Sequence, residues 1–120
     1  MNTRRILTSM KAPHEGLRVL DLSDRQSGAF AARLFGDFGA EVILVESPEG
    51  HPLRGEPPFL EGKAGPNRSV MHSFINWNKK SIVVENREEF ADFVASADVV
   101  ITTSDPLKIL PDLSPNAVHI

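Results

Sequence analysis

Residues Gly16 to Glu46, GLRVLDLSDRQSGAFAARLFGDFGAEVILVE, decide the fold. Leu17 to Leu22 (LRVLDL) is a short run of branched apolar residues and reads as a buried strand. From Gly28 to Phe38 the period changes. Phe30, Ala31, Leu34, Phe35 and Phe38 recur at helical spacing, which predicts a helix with that set on its inner face. Ser23 or Ser27 is the expected cap. Gly39 follows the last apolar position, where a left-handed C-cap is expected. Glu41 to Glu46 (EVILVE) is a second continuous apolar run. Strand, helix and strand in this order predict two parallel strands joined by a crossover.

Working outward, the residues before Gly16 carry two arginines but no long apolar core, so positions 1–15 read as a flexible leader rather than a signal peptide. After Glu46 the chain turns dense in proline and glycine. Residues 47–66 (SPEGHPLRGEPPFLEGKAGP) form a long surface loop, either a partner-binding excursion or a linker. VMHSFINW (70–77) fits a short helix or an extended segment. SIVVE (81–85) reads as a third strand, REEFADFVASA (87–97) as a helix capped by Asn86, and DVVIT (98–102) as a fourth strand. A short helix at 106–110 and a fifth strand at 117–120 complete the pattern. The expected fold class is α/β, a Rossmann-like three-layer parallel sheet. With two convincing helices for four or five strands, it reads as an incomplete part of a larger domain.

Composition narrows the chemistry. A net charge of −3 gives no general attraction to nucleic acid or anionic membrane. The absence of cysteine excludes a disulfide scaffold, a thiol nucleophile and a cysteine zinc site, and fits a cytoplasmic protein. His14, His51, His72 and His119 lack the close pairing of a metal motif and read as loop and surface histidines, so no metal is expected. Ser27-Gly28 is not a nucleophile elbow. The single glycine of the turn 24–30 (DRQSGAF) falls short of a dinucleotide fingerprint, although Glu46 stands where a ribose-binding acid would. Backbone amides at the helix start could still hold an anion. Lys79 and Lys80 fit either strand-edge lysines that discourage aggregation or contacts to a ligand phosphate.

Three blocks then line up with a known family. Residues 16–54 run G-L-R-V-L-D-L, the turn, an apolar helix, G-A-E-V-I-L-V-E and P-E-G-H-P-L-R. They resemble the pattern G-x-R-V-L-D-L, A-G-P, G-A-E-V-I-K-V-E, P-x-G-D-P-x-R of the family III CoA-transferases. FINWNKKSIVVE (74–85) is similar to F-x-x-x-N-x-x-K-R-S-I/V, and ADVVITTSDP (97–106) to A-D-V-x-x-x-N-F-x-P-G. The resemblance implies a Rossmann-like portion that binds coenzyme A, in a protein that forms interlocked homodimers. It implies a cytoplasmic transferase using an aspartate nucleophile on acyl-CoA thioesters, or the racemase branch with acid–base chemistry at the α-carbon. Carried over by position, it implies CoA contacts at Gln26 and Ser27 in the first turn, and at Ser47 after the second strand. It adds Val84, Glu85 and Arg87 after the third strand, and Thr103 and Ser104 after the fourth. The chain departs from the pattern at Ser27, Ala29, Leu44 and Thr103-Ser104-Asp105, and a basic residue is replaced at Leu44 and again at Ser47. None of Asp98, Asp105 or Asp112 matches the context of the family's catalytic aspartate, so no catalytic residue is expected within these 120 residues. The alternative is a non-catalytic remnant that dimerises or docks on a partner.

Overall fold

The computed structural model describes residues 11–103 and 112–120. Among the described residues five strands form one all-parallel sheet in the order β3-β2-β1-β4-β5. They are β1 (Arg18–Leu22), β2 (Glu41–Glu46), β3 (Lys79–Val83), β4 (Val99–Thr102) and β5 (Val118–His119). Helix α1 (Gln26–Asp37) links β1 to β2, α2 (Val70–Ile75) precedes β3, and α3 (Arg87–Ser96) links β3 to β4. The α/β class and the parallel, Rossmann-like sheet are as the sequence predicts. The segment at 106–110 lies outside the described residues.

Alternation along β1 builds the layers. Val19 joins Ala32, Val42, Val99 and Ile101 under α1. Leu20 faces the other way and joins Ile43, Val94, Ala97 and Val100 under α3. The residues between β2 and β3 cover the remainder of the α1 face, where Leu53, Ile75 and Ala29 form a small third cluster. Every strand of β1, β2 and β4 is thus covered on both sides, which a parallel sheet requires.

The inner face of α1 differs from the sequence expectation. Its buried residues are Ala29 and Ala32, with Phe35 half-buried, whereas Phe30, Leu34 and Phe38 are 45%, 42% and 51% exposed. Small residues win because the helix lies close to the sheet. A Cβ on Gly28 would stand 2.5 Å from Ser23 Cβ and 3.0 Å from Thr103 Cγ2. The helix also starts earlier than the apolar period suggests, at Gln26. Its N-cap is Arg25, with no side-chain cap, and not Ser23 or Ser27. Asn86 does cap α3, accepting from the Glu89 amide at 2.8 Å, and Gly39 has φ +104 after α1. The segment 70–77 is helical over its first six residues, and β3 lies two residues earlier than 81–85.

Candidate functional site at the carboxyl edge of the sheet

Asp21 is the one acid inside the apolar run of β1, and it is fully buried on the α1 face. Its Oδ2 accepts from Lys79 Nζ at 2.6 Å, and Oδ1 accepts from the amide and hydroxyl of Ser23 at 2.9 and 2.5 Å. Lys79 saturates its ammonium by donating also to the Ala29 carbonyl at 2.7 Å and to Asn76 Oδ1 at 2.6 Å. Burial lowers the Lys79 pKa, and the Asp21 carboxylate opposes that shift. Lys79 is therefore neither a strand-edge lysine in solvent nor free to meet a phosphate. Lys80 is exposed and pairs with Glu41 at 3.1 Å.

A second polar knot lies at the end of β2. Glu46 is 5% exposed and takes a two-point contact from Arg54, Nε at 2.6 Å and the terminal amino group at 2.9 Å. The His51 amide donates to the same carboxylate at 2.9 Å, and the Ser81 hydroxyl donates as well. These bonds, the Arg54 guanidinium first, hold the Glu46 pKa down to about 2 against the cost of burial. A carboxylate with all its oxygen capacity used has none left for a ribose, so Glu46 does not serve as a dinucleotide acid. Arg54 extends the knot into the loop by donating to the Pro66 carbonyl at 2.7 Å and to Asn67 Oδ1 at 3.1 Å.

His51 and His72 are buried, not surface histidines, at 4% and 8% exposure, with rings 5.7 Å apart. Burial, with the charge of Arg54, lowers His72 to about 4, so its ring is neutral at physiological pH. The signal for these residues in the sequence was a polar side chain flanked by apolar or proline neighbours, as in LDL, EGHPL and VMHSFI.

The sequence-predicted site residues fall into two groups, both at the carboxyl ends of the strands. Ser47, Val84, Glu85 and Arg87 line one open cleft of about 390 Å³ on the α3 side, with Val45, Phe90 and Asp112. Gln26 and Ser27 are exposed in the first turn of α1. Thr103 joins them there through Asp24: its hydroxyl accepts from the Asp24 amide at 2.9 Å and donates to the Asp24 carboxylate. This is the point where the strand order reverses, between β1 and β4, the customary ligand crevice of such sheets. Ser104 lies outside the described residues. Leu44, which replaces a family lysine, is buried and lines a different cleft, of about 490 Å³, with Arg54, His72, Asn76 and Lys79. Among the described residues no group of three or more metal-ligating side chains converges, and no helix is long and apolar enough to cross a membrane.

The sequence profile of CoA-transferase family III matches residues 15–109. The succinyl-CoA:mesaconate CoA-transferase of Haloarcula hispanica is 35% identical over 92 residues, which are 72% of this chain and 23% of that enzyme. The cinnamoyl-CoA:phenyllactate CoA-transferase of Clostridium sporogenes is 34% identical over 92 residues, 72% of this chain and 22% of its own length. The crystal structure of a CAIB/BAIF family protein from Brucella suis superposes with a TM-score of 0.76 at 30% identity. That superposition covers 92% of this chain and 33% of the other. The chain thus spans about a quarter of the length of the curated relatives it matches. With a matching profile over most of its length and the same fold at that identity, the chain belongs to CoA-transferase family III, of which it represents the N-terminal part.

Proposed function

We propose that this chain binds coenzyme A along the carboxyl edge of its sheet, as the N-terminal part of a transferase that moves CoA between carboxylic acids. The observation that carries this reading is that Ser47, Val84, Glu85 and Arg87 share one cleft, while Gln26, Ser27 and Thr103 gather at the strand-order reversal. The first place lies between the ends of β2 and β3 and the second between β1 and β4, two strand spacings or about 10 Å along the sheet edge. An elongated ligand can occupy both. The free first-turn amides of α1, with no side-chain cap, suit an anionic group at the Gln26 end. Arg87 supplies a cation at the other. Ser104 belongs to the same proposed site by position. Coenzyme A is a substrate here, and no metal enters the reading. The nucleophilic aspartate is placed outside these residues, in a cytoplasmic homodimer.

Titration calorimetry of CoA into the purified chain tests this. Binding is expected, and Gln26→Ala should weaken it about fivefold, the effect of one hydrogen bond. Its melting temperature should stay unchanged, because Gln26 is exposed. Unchanged affinity removes Gln26 from the site. No binding at all, with a stable dimer by light scattering, favours the partner-docking alternative.

A further inference from the structure

Ser23 stands where β1 turns toward α1, and each of its polar groups is held by a residue elsewhere. Its amide and hydroxyl bind Asp21 Oδ1, and its carbonyl accepts from His51 Nε2 at 2.8 Å. Ser23 is 2% exposed and packs where Gly28 leaves no room for a Cβ. Its position therefore sets where the first turn of α1 begins.

His51 reaches this point from the proline- and glycine-rich loop. Its Nδ1 accepts from the Leu53 amide at 3.1 Å, capping the 3-10 turn Pro52–Gly55. That acceptor role assigns the ring proton to Nε2, which donates to Ser23. One imidazole thus does two jobs through two nitrogens: it caps the loop's 3-10 turn and ties that loop to the turn before α1. The family pattern has aspartate at this position. An ionised aspartate caps equally well but has no proton to donate to a carbonyl. Asp24 and Thr103 close the turn from the β4 side. No other side chain of the described loop residues makes a hydrogen bond to the Ser23–Gly28 turn, so His51 is the loop's polar link to it.

We infer that His51 is a positioning residue: it straps the loop to the Ser23–Gly28 turn and so fixes Gln26 and Ser27 for ligand binding. The effect on the ligand rests on the coenzyme A reading above, but the strap itself does not.

Two near-isosteric variants separate its jobs. In His51→Asn the amide oxygen takes the place of Nδ1 and keeps the cap, with no donor toward Ser23. In His51→Gln the amide nitrogen takes the place of Nε2 and keeps the donor, with the cap lost. Hydrogen exchange of the ligand-free chain reads the turn directly, and calorimetry with CoA reads its consequence. His51→Asn should speed exchange of the hydrogen-bonded Ser23, Asp24 and Ala29 amides about fivefold and weaken CoA about fivefold, as one lost hydrogen bond would. His51→Gln should leave both within about twofold of the parent while the Leu53 amide exchanges faster. Equal exchange in the turn for the two variants overturns the strap. A loosened turn in His51→Asn with unchanged CoA affinity overturns the positioning role. If the parent chain binds no CoA while the exchange pattern holds, the strap stands and the coenzyme A reading falls.

Discussion

Two ion pairs sit on the same face of the sheet, and they are closed to different degrees. Asp21 and Lys79 have side chains 0% and 1% exposed, with single-point contact at 2.6 Å. Glu46 and Arg54 are 5% and 21% exposed, and their contact is two-pointed. The first pair joins β1, α1 and the end of α2 to β3, all regular structure. The second hangs an irregular loop from β2, and Arg54 borders two clefts. A charge that loses its partner in the first place has no route to water. In the second, the arginine can turn outward and the loop can follow.

That difference predicts unequal costs. Asp21→Asn keeps an acceptor for Ser23 but leaves the Lys79 ammonium buried and uncompensated, an expected loss of about 3–5 kcal/mol in urea denaturation. Asp21→Asn with Lys79→Met should cost clearly less than the two single changes added together. Simple additivity would show that the two residues do not act as a unit.

Glu46→Gln should cost about 2–3 kcal/mol at neutral pH, less than Asp21→Asn because Arg54 keeps access to solvent. The acid limb sharpens this. Glu46 sits at about 2 in the folded protein, below its ordinary 4.5. Its contribution is therefore full above about 4.5 and disappears as pH falls toward 2. His72 also sits below its ordinary value, at about 4 against 6.5. The unfolded chain takes up that proton first, so stability begins to fall between 6.5 and 4. A stability–pH curve should show both losses in the parent and a smaller lower one in Glu46→Gln, where Glu41, also held down by Lys80 and Arg18, remains. An unaltered lower limb would mean that Glu46 is not held down by its partners.

Gly28→Ala probes the closed side from another direction. The added Cβ meets Ser23 Cβ at 2.5 Å, and that atom is fixed by the serine's bonds to Asp21 and His51. Overpacking of about 1–3 kcal/mol is expected by thermal denaturation. A neutral result would show that the turn yields and that the closed side is softer than its hydrogen bonds imply. This glycine also explains why one suffices where a dinucleotide loop has three. It permits the close approach of helix to strand, which is a packing requirement rather than a contact to pyrophosphate.

The strands were legible because continuous apolar runs such as EVILVE admit little else, and α3 because Asn86 and two glutamates mark its start. The inner face of α1 was misread. Phe30, Leu34 and Phe38 form a larger apolar set than Ala29 and Ala32, and nothing local says that the helix must approach closely enough to exclude rings. The polar knots were not legible either. Asp21 pairs with a residue 58 positions away and Glu46 with Ser81, 35 away, and such pairing is decided by the sheet's register, not by neighbours in sequence. Ser47, Val84, Glu85 and Arg87 were named from the family resemblance alone; they share a cleft because Val84, Glu85 and Arg87 follow β3 and Ser47 follows its neighbour β2.

Arg54→Lys is the mildest test of the comparison. A lysine keeps the positive charge beside Glu46 but replaces a planar fork with a single ammonium, which cannot bind both carboxylate oxygens and still reach Pro66 and Asn67. A lysine still offers Glu46 one charge-assisted hydrogen bond, the Ser81 and His51 donors stay, and the partly exposed site lets water fill what the fork leaves. The expected cost is therefore only about 1 kcal/mol. Hydrogen exchange should rise in residues 63–67, where the arginine's reach ends, and not in β2. The reverse exchange, Lys79→Arg, should be far more damaging, since a guanidinium does not fit where three oxygens close around one ammonium nitrogen. If both swaps cost the same, the contrast between a closed pair and an open one fails, and the burial of the second pair is tighter than its 21% exposed arginine indicates.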